Sequence, residues 1–104
     1  MTYPNGGISY EVYCSGVVAQ SIRQVHKQAV REGRGETMVA AFREAVHQIE
    51  KGARKLGEPL YRLPVLRMQI RQALIRPIAI EFAVCEDRPL VFIKGVTLLS
   101  LPSS

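Results

Sequence analysis

Arg76–Val96, RPIAIEFAVCEDRPLVFIKGV, carries the clearest strand pattern of the chain. Ile78, Ile80, Phe82 and Val84 alternate with Ala79, Glu81, Ala83 and Cys85, the period of two expected of a half-buried strand. Glu86-Asp87-Arg88-Pro89 follows as a polar turn, with proline where a ladder donor would be lost. Leu90–Val96 then returns to β-branched and aromatic residues, so the stretch predicts a β-hairpin.

Upstream the period changes. Ile8, Tyr10, Val12 and Cys14 alternate with Ser9, Glu11 and Tyr13, which predicts a first strand over Ile8–Cys14. Ser15 or Gly16 can cap a helix whose apolar face is Val18, Ile22, Val25 and Ala29. Arg23, Lys27 and Arg31 recur every four residues on another face, and Gly33-Arg34-Gly35 ends the segment. A second helix is expected over Glu36–Leu56, with Met38, Phe42, Ala45, Ile49 and Leu56 as its stripe and Gly57 and Pro59 as its stop. Two helices joined by a short glycine turn predict an antiparallel αα-hairpin.

Leu60–Ile75 supports two readings. Leu66, Met68 and Ile70 alternate with Arg67, Gln69 and Arg71, as in a strand with an exposed arginine-bearing face. Leu63, Leu66, Ile70, Ala73 and Leu74 fit a helix equally well.

A chain of 104 residues with 47% hydrophobic and 22% charged content is one globular domain, expected to span residues 1–104 with loose ends at 1–7 and 101–104. The N-terminus MTYPNGG has no signal-peptide pattern, and no apolar run is long enough to span a membrane, so a cytoplasmic protein is expected. Cys14 and Cys85 belong to no CxxC pair and read as small core or subsurface residues of a reduced protein. His26 and His47 lack acidic or thiol partners at metal-ligand spacing, so neither a metal nor a cofactor is expected. The net charge is +5. Between Lys51 and Ile80 lie Lys51, Arg54, Lys55, Arg62, Arg67, Arg71 and Arg76 against Glu58 alone, so the positive excess sits in one segment and points to an anionic partner.

A strand, two helices and then a run of antiparallel strands resembles the order of the RelE/ParE-like toxin superfamily. The local words GEPLYRLP, MQIR with Arg71, IRPIAIEFAV with Arg76, CEDRP and LVFIKGV resemble its successive pieces from Ile8 to Leu99. The resemblance implies an α+β fold with a roughly four-stranded sheet and both helices on one face, and it favours a strand over Leu66–Arg76. It further implies a toxin-like component of a toxin–antitoxin pair. Such a component acts either as an endoribonuclease on messenger RNA, often at the ribosome, or by binding DNA gyrase, and an antitoxin protein neutralises it. The alternative of another class is a catalytically inactive binding module of the same fold, with a homodimer as one form open to it.

Ribonuclease chemistry needs cations at the scissile phosphate and an acid and base for the 2′-hydroxyl and the leaving oxygen. On the resemblance, Arg71 and Arg76 are the candidates for stabilising phosphate charge. Arg62, Arg67, Arg71, Arg76 and Lys94 are the candidates for contacting nucleic acid, with Arg67 and Arg71 expected on one exposed face. Ribonuclease members carry a basic residue, His or Tyr after the last strand, whereas this chain has Thr97-Leu98-Leu99-Ser100. Glu81 remains as a candidate base. Weak or no RNA cleavage by the isolated protein is therefore expected.

Overall fold

The computed structural model describes residues 9–100, so Ile8, the Asn5-Gly6-Gly7 segment and the tail at 101–104 lie outside the described residues. In chain order the elements are β1 (Glu11–Cys14), α1 (Gly16–Arg31), α2 (Gly35–Gly52), a 3-10 turn (Ala53–Lys55), β2 (Glu58–Leu63), β3 (Met68–Ile75), β4 (Ile78–Cys85) and β5 (Leu90–Leu98). The strands form a single sheet in the order β1-β5-β4-β3-β2. β1 runs parallel to β5 and every other neighbouring pair is antiparallel. Both helices pack on one face, giving the α+β architecture expected from the sequence.

Each helix forms for a local reason. The Ser15 side chain accepts a hydrogen bond from the Val18 N–H at 3.2 Å, which satisfies a donor that the first turn of α1 leaves free. Gly33 adopts φ +74, the left-handed geometry that turns the chain back, and α2 begins two residues later. α2 buries Met38, Ala41, Ala45 and Ile49 on one stripe. That stripe meets the inner sheet face of Ala73, Ile78, Ile80, Phe82, Val84, Val91, Ile93 and Val96. Phe82 lies fully buried in this core, where removing its ring from water contributes roughly 1.5–3 kcal/mol. Ile49 and Ile80 are buried with it, whereas Phe42, Ile22 and Val25, also expected in the core, are half-buried and pack against its margin.

Four sequence expectations are corrected. The sheet has five strands rather than about four, because Glu58–Leu63 pairs with β3. Pro59 and the irregularity between Pro59 and Tyr61 fit that position, since β2 is an edge strand and one of its sides needs no ladder donor. α2 ends at Gly52 and the chain continues as a 3-10 turn instead of running helically to Leu56. Arg67 and Arg71 do not share an exposed face: Arg67 sits in the turn before β3 with φ +53, and Arg71 is 7% exposed on the helix-facing side of β3. Cys85 is buried as expected, but Cys14 is exposed because it closes the edge strand β1. Leu66–Arg76 forms a strand and a turn rather than a helix, and the β4–β5 hairpin turns at Glu86–Pro89.

Candidate functional site

Arg54, Arg62 and Arg67 of the basic segment come together at the end of the sheet where α2 finishes. The α2 C-terminus, the 3-10 turn, β2, the start of β3 and the β4–β5 turn meet there around a cleft of about 290 Å³ lined by Arg54, Gln69, Val84, Cys85 and Glu86. Its cations are largely committed to the protein's own acceptors. Arg71 donates from Nε to the Leu56 carbonyl at 2.8 Å, from Nη2 to the Gly57 carbonyl at 3.1 Å and from Nη1 to the Gln69 amide oxygen at 2.7 Å. The two carbonyls are those left open as the chain leaves the helical turn for β2, and a planar guanidinium reaches both at once. Arg54 donates to the carbonyls of Cys85 and Glu86 at 3.2 and 3.0 Å, and its guanidinium lies 5.7 Å from the centre of the Tyr10 ring.

Arg62 grips the Glu86 carboxylate through both Nε and Nη2, the latter at 2.7 Å. The hydrogen bond from Arg62 holds the Glu86 carboxyl below the usual carboxylate range. A carboxylate of lowered pKa is a poor general base, because efficient proton transfer needs a pKa near the working pH. The same pair fastens β2 to the β4–β5 turn, and its contribution has a definite sign. The folded pKa of Glu86 is depressed, so the stabilisation is present above the unfolded carboxylate pKa and is lost as pH falls through the folded value. Glu86→Gln should therefore lower thermal stability at neutral pH, and the difference from the parent protein should shrink progressively in an acid titration of Tm. A difference that stays constant down to pH 2 would remove the pair as its cause.

The predicted site residues are not gathered into one place. Arg62 and Arg67 lie at this end of the sheet, with Arg67 4.0 Å from Asp87. Arg71 is inside. Arg76 stands in the turn between β3 and β4, five residues from Arg71 along an extended chain and so roughly 16 Å away at the other end of the sheet. Lys94 is the extra residue of an irregularity in β5 and lies on the sheet face turned away from the helices, as does Glu81. His47 is exposed and His26 half-buried, both on the helical hairpin.

Sequence reasoning missed a groove on the outer side of that hairpin. Ile22, Met38, Val39 and Phe42 line a space of about 390 Å³, bordered by Arg23, His26 and Arg43. A second concavity of about 570 Å³ adjoins it at His26, Val39 and Arg43 and extends to Val30 and Thr37. The signal was present as Val39 and Phe42, which sit one position off the innermost stripe and are half-buried rather than covered. Among the described residues, no helix is long and apolar enough to cross a membrane, and no group of three or more His, Cys, Asp or Glu side chains could hold a metal ion. Comparison with protein families, with curated proteins and with solved structures finds no match for this chain.

Proposed function

We propose that this protein is a toxin-like member of a toxin–antitoxin pair, built on the RelE/ParE-like plan, that acts by binding a protein target rather than by cutting RNA. Support for the architectural part is the order strand, αα-hairpin and four antiparallel strands, with the first strand closing beside the last. The observation that carries the mode of action is the fate of Arg71: its guanidinium makes three internal hydrogen bonds from the middle of β3, while Arg76 stands in the turn beyond that strand, five residues on. Two cations so separated do not converge on one phosphate, and Glu86, the carboxylate of the basic cleft, is held by Arg62. Of the two activities in that superfamily, gyrase binding demands no assembled phosphodiester chemistry and fits these residues better than action on RNA or the ribosome.

The antitoxin is then an acidic protein with an amphipathic segment, whose apolar residues enter the Ile22–Phe42 groove and whose carboxylates meet Arg23, His26 and Arg43. Such a pair works in the cytoplasm. Expression of the chain alone in a bacterial host is the test. Arrest of growth with full-length messenger RNA and altered plasmid supercoiling is the expected result. Unimpeded growth at high expression would remove the toxin reading. Growth arrest with cleaved messenger, relieved by Arg76→Ala, would instead restore the ribonuclease.

A further inference from the structure

Register sorts the charged side chains of the sheet by sign. Arg62 and Arg71 stand in line with Val84 and Phe82, on the side of the helices, whereas Glu11, Glu58 and Glu81 all lie on the face turned away from them. Lys94, in the β5 irregularity, is the strand-borne cation of that face among the described residues. On a chain of net charge +5, the strands thus give this face three carboxylates against one ammonium. Glu58, Gln72, Glu81 and Gly95 occupy one cross-strand row. With neighbouring strands about 4.8 Å apart, the two glutamates stand roughly 10 Å from each other with a neutral amide between them. A Cβ at Gly95 would meet nothing within 4 Å, so open space borders Glu81 at the end of the row. Among the described residues, neither Glu58 nor Glu81 takes part in an ion pair.

We propose that this face receives a basic segment of another protein, one that carries arginine or lysine among aliphatic residues. Charge complementarity names the occupant. Two carboxylates without an internal counter-ion attract cations, and their sign is opposite to that of the chain as a whole. An acidic segment would be repelled, and a second copy presenting the same face would set glutamates against glutamates. The rim of the face suits the same partner. Tyr61 is 50% and Leu74 63% exposed, and Tyr13 stacks on Phe92 with ring centres 5.7 Å apart. A guanidinium lies favourably over an aromatic ring, and the stem of a long basic side chain covers aliphatic surface. Ile70, Ala79, Ala83 and Cys85 form a floor that is already buried, so the partner meets the rim and the acidic row rather than a bare core. Such a contact gives a weak, salt-sensitive association instead of a permanent complex. It is independent of the toxin reading, since it uses neither the helical groove nor the basic cleft and calls for a partner opposite in charge to the antitoxin.

Fluorescence anisotropy with a labelled synthetic peptide of leucines and arginines tests the proposal, against a counterpart with glutamate at each arginine. The arginine peptide is expected to bind, more weakly as salt is raised, and the glutamate peptide is expected not to. Glu58→Gln together with Glu81→Gln should weaken binding roughly tenfold. Glu44→Gln together with Glu50→Gln, at two exposed carboxylates of α2, makes the same change in net charge off this face and should leave binding unchanged. Lys94→Gln should tighten it by removing the opposing cation. No binding of the arginine peptide, or equal binding of the glutamate peptide, would overturn the proposal. An equal loss from both glutamine pairs would overturn it too, because attraction would then follow net charge alone. A Lys94→Gln variant that binds less tightly would do the same by placing the peptide elsewhere.

Discussion

Replacing Gly57 with alanine should cost on the order of 3 kcal/mol or more of folding stability, the largest effect expected of any single methyl added to this chain. Gly57 has φ +67, a left-handed geometry that costs an ordinary residue about 1–2 kcal/mol. A Cβ there would also lie 2.1 Å from the Gln72 carbonyl oxygen and 2.9 Å from the Ala73 Cα. Those atoms are β3 backbone, which cannot swing aside like the end of a flexible side chain. Relief requires β2 to separate from β3 just where the pairing Glu58–Gln72 begins. For a domain of this size, a loss of that order lowers Tm by about 10 °C or more. Thermal unfolding followed by circular dichroism is the check. A Tm within a degree of the parent would mean that the helix-to-β2 crossing does not run so close to β3.

Arg71→Ala should lose roughly 3 kcal/mol, because it leaves the Leu56 and Gly57 carbonyls without their donor. Hydrogen bonds to a charged donor contribute about 1.5–3 kcal/mol each, and Arg71 makes three from a site only 7% exposed. Arg71→Lys should recover less than half of this, since an ammonium is a point donor and cannot reproduce the planar fork across both carbonyls. The pair of variants separates the two roles open to this residue. A guanidinium kept for an external phosphate would leave Tm nearly unchanged on removal and would show itself only in activity. An internal strut does the reverse.

Much of the architecture was legible because its patterns are local. The alternation from Ile78 to Cys85 marks β4 whatever surrounds it, and the Met38–Ile49 stripe marks α2. β2 was not legible: Pro59 removes a donor, and the irregularity after it breaks the alternation that would have announced a strand. Only the edge position of β2 makes such a sequence acceptable. Leu66–Ile75 satisfied two periods at once, and pairing with both β2 and β4 decides between them.

The arginines show a different limit. Alternation correctly divides β3 into two sets, Met68, Ile70, Gln72 and Leu74 against Gln69, Arg71, Ala73 and Ile75. It does not say which set faces the helices, and the polar set does. The reason lies outside β3, in two carbonyls left open where the chain leaves the turn after α2. Arg71 is the side chain able to meet both. The outer face was misleading for the converse reason. Ala79, Glu81, Ala83 and Cys85 look like the less apolar side of β4, but neighbouring strands supply Phe92, Leu74 and Tyr61 to it. A strand read alone cannot show what its neighbours contribute.

If the chain binds a protein target rather than cutting RNA, messenger RNA should survive contact with it on the ribosome. Purified protein, equimolar with ribosomes in a reconstituted translation mixture, is incubated with a defined messenger, and the RNA is mapped by primer extension. The predicted result is full-length messenger at every time point, unchanged by Arg76→Ala. New 5′ ends within the reading frame, absent when Arg76 is alanine, would contradict it and make Arg76 part of a phosphodiester-cleaving site.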